Sequence, residues 1–183
     1  MAELHQVSVV AGVPTALGAV LQIPPGDNNI STIRTGLTGA ALLPPTIGER
    51  FEQITNCPLH EILGMTETSG LVSIDPLSGP GSKGSVGWAL PYTNVEILRL
   101  NDDGTLGDRC NVEEIGVITI QGDHVTPGYR DPKHNEGLFH EGRLNSGDLG
   151  YKDSKGTLSV TGCSKDLIIR SGHNIDSAMI ENV

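Results

Sequence analysis

Hydrophobic and polar positions form a repeating pattern over the first 75 residues. Short runs rich in β-branched residues predict strands, and the longer segments between them have the apolar spacing that predicts helices. The first helical segment begins with Pro14, where a missing N–H costs nothing. The predicted strands are 5–13, 31–42 and 58–65, and the predicted helices are 14–23 and 44–55. Strands that alternate with helices indicate an α/β layer with a mostly parallel sheet.

The pattern changes after residue 75. From there, glycine and proline interrupt short β-branched runs, and helical spacing is absent. Turn-forming clusters at 101–108 and 152–157 predict hairpins between neighbouring strands. The predicted fold class is therefore α/β, with an α/β layer at 1–75 followed by a small antiparallel β subdomain at 76–161.

Residues 6–26 carry no charge and are rich in valine, alanine and leucine. A signal peptide or a membrane helix is one interpretation of such a stretch. The acidic Glu3, the central Pro14 and the Pro24-Pro25 pair argue against it, because signal peptides begin with basic residues and proline interrupts a helix. We predict a buried helix and no transmembrane segment.

The composition narrows the choice of partners and compartment. Acidic residues outnumber basic ones, 22 to 12, and the formal net charge is −10. Nucleic acid is not an expected partner, since binding to its phosphate backbone needs a basic face. Cys57, Cys110 and Cys163 are far apart and odd in number, which indicates a reducing, cytoplasmic compartment and neither a disulfide framework nor a zinc site.

Residues 79–84, Gly-Pro-Gly-Ser-Lys-Gly, satisfy the spacing of the dinucleotide-binding fingerprint. That fingerprint requires a strand before it and a helix after it, so that a pyrophosphate meets the helix N-terminus. This stretch precedes a predicted strand instead. We interpret it as a Gly/Ser/Pro loop.

Three other stretches carry groups suited to nucleotide chemistry. In residues 61–70, hydroxyls surround the carboxylate of Glu67 between two glycines, which suits a magnesium-bound phosphate and equally a helix capped by Thr66. Asp148 follows a Ser-Gly turn, and a carboxylate there can accept two hydrogen bonds from a vicinal diol such as ribose; an Asx turn is the alternative. Residues 161–175 taken alone predict a hairpin with exposed charges.

In their order along the chain, these stretches resemble the motifs of the adenylate-forming superfamily, in particular the acyl-CoA synthetases (AMP-dependent ligases). "GLTGAALLPP" resembles the adenine loop, "LGMTE" the Tyr-Gly-x-Thr-Glu signature, "NSGD" the Thr-Gly-Asp motif and "GCSKDLIIRSGHNI" the hinge run of that family. "VTPGYRDP" resembles the segment that precedes the ribose-binding aspartate. The resemblance covers nearly the whole chain.

The resemblance implies a reaction and a set of ligands. Such enzymes join a carboxylic acid to ATP, which gives an acyl-adenylate and pyrophosphate, and then pass the acyl group to the thiol of coenzyme A. The implied ligands are ATP or AMP, Mg²⁺, coenzyme A and a small carboxylic acid, and the implied context is fatty acid metabolism.

The same resemblance implies roles for individual residues. Thr66 and Glu67 would be catalytic, with Thr66 on phosphate and Glu67 on magnesium, and Asp148 would hold the ribose hydroxyls. Lys165 would be the hinge, so that 162–183 starts a C-terminal domain. The positions implied for nucleotide binding are Gly39, Ala40, Ala41, Leu63, Gly64, Met65, Thr66, Asp148 and Cys163.

Several positions depart from the family pattern. Leu63 stands where the family has a tyrosine that stacks on adenine, and Cys163 stands where it has an arginine that helps to hold ribose. Arg143 occupies a position that is often tryptophan. Neither the phosphate loop nor the catalytic-lysine domain of the family is found in the chain. We therefore predict a fragment of an acyl-CoA synthetase that is inactive alone; the alternative is a non-catalytic remnant with a weak nucleotide-binding or protein-interaction role.

The parallel sheet at 1–75 would be incomplete in such a fragment. Absent neighbours would leave a strand edge and an apolar face exposed, and exposed edges pair readily with other chains. We therefore expect self-association or partner binding through this edge.

Overall fold

A computed structural model describes residues 3–23, 26, 29–78 and 83–164, together with the backbone of 167–170 and 173–176. Two sheets contain most of the described strands. The helix and strand alternation predicted for the first 75 residues and the β-rich remainder are both confirmed.

The first sheet has five strands, which lie side by side in chain order. The parallel strands are β1 (Val9–Ala11), β2 (Thr35–Thr38) and β3 (Leu59–Met65). The antiparallel strands are β4 (Gly70–Ile74) and β5 (Trp88–Ala89). The connecting helices are α1 (Pro14–Leu21) and α2 (Pro45–Thr55). Each helix begins at a proline, whose fixed φ suits the first helical position.

Both helices pack on this sheet through one apolar cluster. Its buried members are Leu17, Leu21, Ile33, Phe51, Cys57 and Leu59. Gly36 on β2 faces the same cluster, and a Cβ added there would lie 2.5 Å from the ring of Phe51. Glycine at this position therefore lets α2 approach the sheet closely.

The uncharged stretch 6–26 contains β1 and α1. The prediction of a buried helix is correct for one face only, because Leu17 is 4% exposed whereas Val20 is 65% exposed. Among the residues that the structure describes, no helix has the length and apolar character needed to cross a bilayer.

The second sheet has six strands, all in antiparallel pairs. Its main path is β11-β10-β8-β6-β7, and β9 pairs with β10. The strands are β6 (Asn94–Leu100), β7 (Leu106–Arg109), β8 (Gly116–Gln121), β9 (Phe139–His140), β10 (Arg143–Lys152) and β11 (Leu158–Cys163). The two predicted hairpins are confirmed, since they join β6 to β7 and β10 to β11. A separate hairpin follows, formed by β12 (Leu167–Arg170) and β13 (His173–Asp176).

One apolar cluster is shared by the two sheets. Leu63 and Val72 come from the first sheet, and Val86 comes from the segment that precedes β5. The other buried members come from the second sheet: Val95, Ile97, Ile118, Ile120, Leu144 and Leu158. Backbone hydrogen bonds also join the sheets, since Leu158 N–H donates to Gly87 O (2.8 Å) and Val86 N–H donates to Leu158 O (2.9 Å). The first sheet extends to Ala89 through β5. The subdomain boundaries near 75 and 161 stay a prediction.

β1 forms an edge of the first sheet, where β2 is its one partner among the described strands. Val9 on this strand is 48% exposed. The association predicted for this edge stays a prediction.

Candidate nucleotide-binding site

The Thr-Glu stretch is a tight turn between β3 and β4. Thr66–Thr68 forms a single 3-10 turn that begins after Met65. The alternative in which Thr66 caps a helix is therefore wrong, because the chain reverses into β4 after this turn. Gly70 has a φ of 125°, which favours glycine, and a Cβ on Gly64 would lie 2.5 Å from Gly70 O. The two glycines are thus explained by the reversal itself.

The two threonines of the turn have different surroundings. Thr68 is buried, and its hydroxyl lies 3.0 Å from Met65 O and 2.8 Å from Gly70 O, which it can donate to. Thr66 is exposed and its hydroxyl makes no hydrogen bond to the described residues. Thr68 therefore stabilises the turn, whereas the Thr66 hydroxyl is available to a ligand.

Glu67 is tied to a loop of the second sheet. The Tyr129 hydroxyl donates a hydrogen bond to the Glu67 carboxylate, and Thr126 N–H donates to Glu67 O at 2.7 Å. Ser69 Oγ donates to His124 O at 2.9 Å. The hydrogen bond to Glu67 raises the pKa of Tyr129, with smaller contributions of the same sign from desolvation and from the nearby negative charge. Three hydrogen bonds thus connect this turn to residues 124–129.

Residues 39–41, the predicted adenine loop, follow β2 directly. A Cβ on Gly39 would lie 2.7 Å from Ile62 O, so glycine is needed for the close approach to β3. Ala40 has a left-handed φ of 68°, a conformation that costs a non-glycine residue about 1 kcal/mol or more. Because β2 and β3 are parallel neighbours, this loop and the Thr-Glu turn lie at the same carboxyl edge, where open α/β sheets bind ligands.

Glu61 also lies near this edge, although the sequence did not predict it as a site residue. Its register partner on β2 is Thr38, which precedes the adenine loop. It borders a cavity of about 100 Å³ that Leu43, Pro45 and Lys83 also line. Burial raises the pKa of Glu61, and the hydrogen bond from Gly84 N–H (3.3 Å) opposes that shift. The sequence did contain a signal for Glu61: it is a charged residue on the same strand face as the buried Leu59 and Leu63.

Asp148 lies inside β10. The turn predicted before Asp148 is present as a local Asx turn, in which Gly147 N–H donates to Asn145 Oδ1 (3.0 Å). It does not separate two elements, however, because one strand runs through it from Arg143 to Lys152. Between the pairs Asn145–Thr119 and Leu149–Val117, β10 advances by four residues and β8 by two, which makes a bulge of two extra residues. Ser146 Oγ supports the bulge by donating to Ile118 O (2.7 Å) and accepting from Asp148 N–H (3.0 Å).

The Asp148 carboxylate is partly buried, and burial raises its pKa. Within the described part of the chain, no group donates a hydrogen bond to it. Cys163 is opposite Asp148 on β11, and its thiol donates to Gly147 O at 3.3 Å. The bulge therefore presents the Asp148 carboxylate, whose two oxygens can accept hydrogen bonds from a ligand.

The structure brings some of the predicted residues together and separates others. Residues 39–41 and the Gly64–Glu67 segment share one sheet edge. Leu63 is 8% exposed and packs in the shared core, so its side chain is not presented at that edge. No hydrogen bond or ion pair among the described residues links Asp148 to the Thr-Glu turn. Lys165 lies outside the described residues.

A second cavity, of about 660 Å³, is lined by none of the residues predicted for nucleotide binding. It lies over the second sheet and is lined mainly by polar and charged side chains, Arg143 among them. The Arg143 guanidinium is 3.6 Å from Glu96 Oε1, which is 2.6 Å from Arg109. Since these charges already pair with one another, we do not assign a ligand to this cavity.

Comparison with known proteins gives consistent matches. Residues 1–130 match the AMP-binding enzyme family. The chain is 40% identical over 181 residues to the marinolic acid–CoA ligase of Pseudoalteromonas sp. (strain SANK 73390), covering 98% of this chain and 28% of that protein. It is 30% identical over 181 residues to a long-chain-fatty-acid–CoA ligase of Bacillus subtilis (strain 168), covering 98% of this chain and 32% of that protein.

Solved structures agree with these matches. The ATP-bound MatB of Rhodopseudomonas palustris superposes with a TM-score of 0.85 at 30% identity, over 98% of this chain and 35% of that one. The O-succinylbenzoate coenzyme A synthetase of Bacillus subtilis, in complex with ATP and magnesium ion, superposes with a TM-score of 0.76 at 30% identity, over 99% and 37%. The chain thus spans about a third of the length of the relatives it matches. It belongs to the AMP-binding enzyme family, and its relatives include acyl-CoA ligases.

Proposed function

We propose that this chain forms the nucleotide-binding part of an acyl-CoA ligase, which activates a carboxylic acid with ATP and transfers the acyl group to coenzyme A. The main support is the geometry of one sheet edge, where the 39–41 loop and the Thr-Glu turn follow two neighbouring parallel strands. Relatives named as acid–CoA ligases support the reaction class.

Each residue has a role suited to its surroundings. Residues 39–41, of which Ala40 and Ala41 are exposed, contact the adenine, and the free Thr66 hydroxyl donates to a phosphate oxygen. Asp148 accepts hydrogen bonds from the two ribose hydroxyls, since nothing described satisfies its carboxylate. Cys163, opposite Asp148, provides a weaker donor than the arginine of the family pattern.

Glu67 is the residue proposed to hold Mg²⁺. The described residues contain no group of three or more His, Cys, Asp or Glu side chains able to surround a metal ion. That fits Mg²⁺, which proteins commonly bind through one or two carboxylates together with substrate phosphates. The bound ion would neutralise negative charge on those phosphates. The Glu67 carboxylate is partly exposed beside Thr66, so both groups are accessible from the same edge.

We propose that the chain does not complete the reaction alone, because it spans about a third of its relatives. The expected result is no carboxylate-dependent exchange of pyrophosphate into ATP by the purified chain. The exchange assay compares the parent with Glu67→Ala. Exchange by the parent above that variant would show that the chain is a complete catalyst.

A non-catalytic remnant that keeps nucleotide binding is the second candidate. The leucine at position 63 favours it, because an aliphatic side chain has no aromatic face to stack on adenine. Both candidate functions include the contact between Asp148 and ribose, so an AMP-binding experiment tests a feature that they have in common.

Asp148→Asn is expected to change ligand affinity and stability in opposite directions. It should weaken AMP binding roughly 10-fold, because the charged carboxylate has two acceptor oxygens, whereas the neutral amide has one acceptor oxygen and one donor NH2 group. Burial raises the pKa of Asp148 above its unfolded value, so its ionisation lowers stability as pH rises through the interval between the unfolded and folded pKa. The variant should therefore have a higher Tm than the parent at pH 7, and the difference should shrink at pH 3.

Calorimetric titration with AMP and melting curves at the two pH values measure these effects. Asp102→Asn is the matched control, because Asp102 is an exposed carboxylate in the turn between β6 and β7. Equal AMP affinity of the parent and Asp148→Asn would contradict the ribose role, whatever the melting curves show.

A further inference from the structure

Tyr129 is held firmly on the loop that faces the Thr-Glu turn. Its backbone N–H donates to Asn135 Oδ1 at 2.6 Å, and Asn135 Nδ2 donates back to Tyr129 O at 3.2 Å. Its ring meets the His134 ring edge-on, with centroids 6.1 Å apart and planes at 79°. These contacts fix the direction in which the hydroxyl points.

The hydroxyl of Tyr129 donates to a carboxylate oxygen of Glu67. This contact joins residues 62 positions apart in the chain, so it depends on the packing of the two sheets. Two further hydrogen bonds, from Thr126 N–H to Glu67 O and from Ser69 Oγ to His124 O, hold the turn and the loop at this separation. The position of the tyrosine hydroxyl relative to the Glu67 carboxylate is therefore held by hydrogen bonds on both sides.

A tyrosine is chemically suited to orient a metal ligand. A carboxylate has about four lone-pair positions, and one neutral O–H donor occupies only one of them. An arginine or lysine in the same place would bring a positive charge that opposes cation binding, whereas the phenol adds none. The contact thus restricts the rotation of Glu67 and leaves oxygen lone pairs for Mg²⁺.

We propose that Tyr129 is a positioning residue that holds the Glu67 carboxylate in the orientation that binds Mg²⁺–nucleotide. This inference rests on the proposed function. Tyr129 does not contact the reacting atoms in this scheme; it acts through Glu67. Groups that orient a metal ligand typically change metal affinity by about 10-fold or more when they are removed.

The test compares ATP affinity with Mg²⁺ and with EDTA, by calorimetry on the full chain. In the parent, Mg²⁺ should tighten ATP binding. In Tyr129→Phe that tightening should fall roughly 10-fold, while the affinity measured in EDTA stays unchanged. In a Glu67→Gln background, Tyr129→Phe should have no additional effect on the magnesium-dependent part, because the two residues act as one unit.

Tyr92→Phe is the matched control, since Tyr92 is 94% exposed and its hydroxyl contacts no described residue. Equal losses with Mg²⁺ and with EDTA in Tyr129→Phe would mean a general structural effect and would overturn the inference. So would an unchanged magnesium response. If the parent binds no ATP, the proposed function fails together with this inference, whereas ATP binding with an unaltered magnesium response in Tyr129→Phe overturns this inference alone.

Discussion

Gly87→Ala is expected to destabilise the protein by about 4 kcal/mol, which combines left-handed backbone strain with overpacking. Gly87 has a φ of 76°, and a Cβ there would lie 2.1 Å from Ile74 O and 2.2 Å from Asp75 N. Both are backbone atoms, so a side-chain rotation cannot relieve the clash. The same glycine accepts the hydrogen bond of Leu158 N–H that joins the two sheets, so the displacement would separate them.

Denaturant unfolding followed by circular dichroism measures this loss. Gly84→Ala is the matched control, because Gly84 has nearly the same φ, 74°, but no atom within 4 Å of the added Cβ. Backbone strain alone should cost Gly84→Ala about 1 kcal/mol. Similar losses in the two variants would show that the contact with β4 does not determine the effect.

Arg143→Ala is expected to cost about 3 kcal/mol, the lower end of the range for removing one partner of a buried charged network. Arg143 is 7% exposed. Its guanidinium donates to Thr119 Oγ1 at 3.0 Å, to Gln121 Oε1 at 3.2 Å and to Asn94 O at 2.9 Å. Desolvation lowers the pKa of Arg143, and the charge of Glu96 opposes that shift. Truncation would leave these hydrogen-bond acceptors without the guanidinium that donates to them.

The measurement is the free energy of unfolding, with Arg130→Ala as the control at an exposed arginine. Arg143→Lys should fall between the two, because lysine keeps the charge but cannot form the planar fork of hydrogen bonds. An Arg143→Ala protein as stable as Arg130→Ala would refute the structural role of the network.

The sequence predicts the elements of this fold well and their long-range pairing poorly. The α/β alternation and both hairpins follow from local spacing of apolar and turn-forming residues, which is visible within a short window. The bulge at Asp148 was missed because it depends on the register of β10 against β8, whose residues lie about 30 positions earlier in the chain. Local turn chemistry at Ser146 and Gly147 suggested a chain reversal that the ladder does not make.

In the candidate site too, the sequence predicts local motifs better than long-range contacts. The Thr-Glu turn and the 39–41 loop were predicted from motifs and their order, and the parallel pairing of β2 with β3 places them at one edge. Tyr129 belongs to a motif that resembles the family pattern, but nothing in the neighbouring sequence reveals its partner 62 residues away. The sequence does not reveal the environment of Glu61, because its hydrogen bond from Gly84 joins residues 23 positions apart.

The apolar cluster shared by the sheets has a consequence for how the molecule unfolds. Leu63 and Val72 lie in the same core as Ile118 and Leu144, so loss of this core removes packing from both sheets. The two sheets are therefore thermodynamically coupled, and we expect denaturation to proceed in one cooperative transition. A cut near residue 75 would expose apolar surface of this core on both pieces, so we expect neither piece to fold on its own.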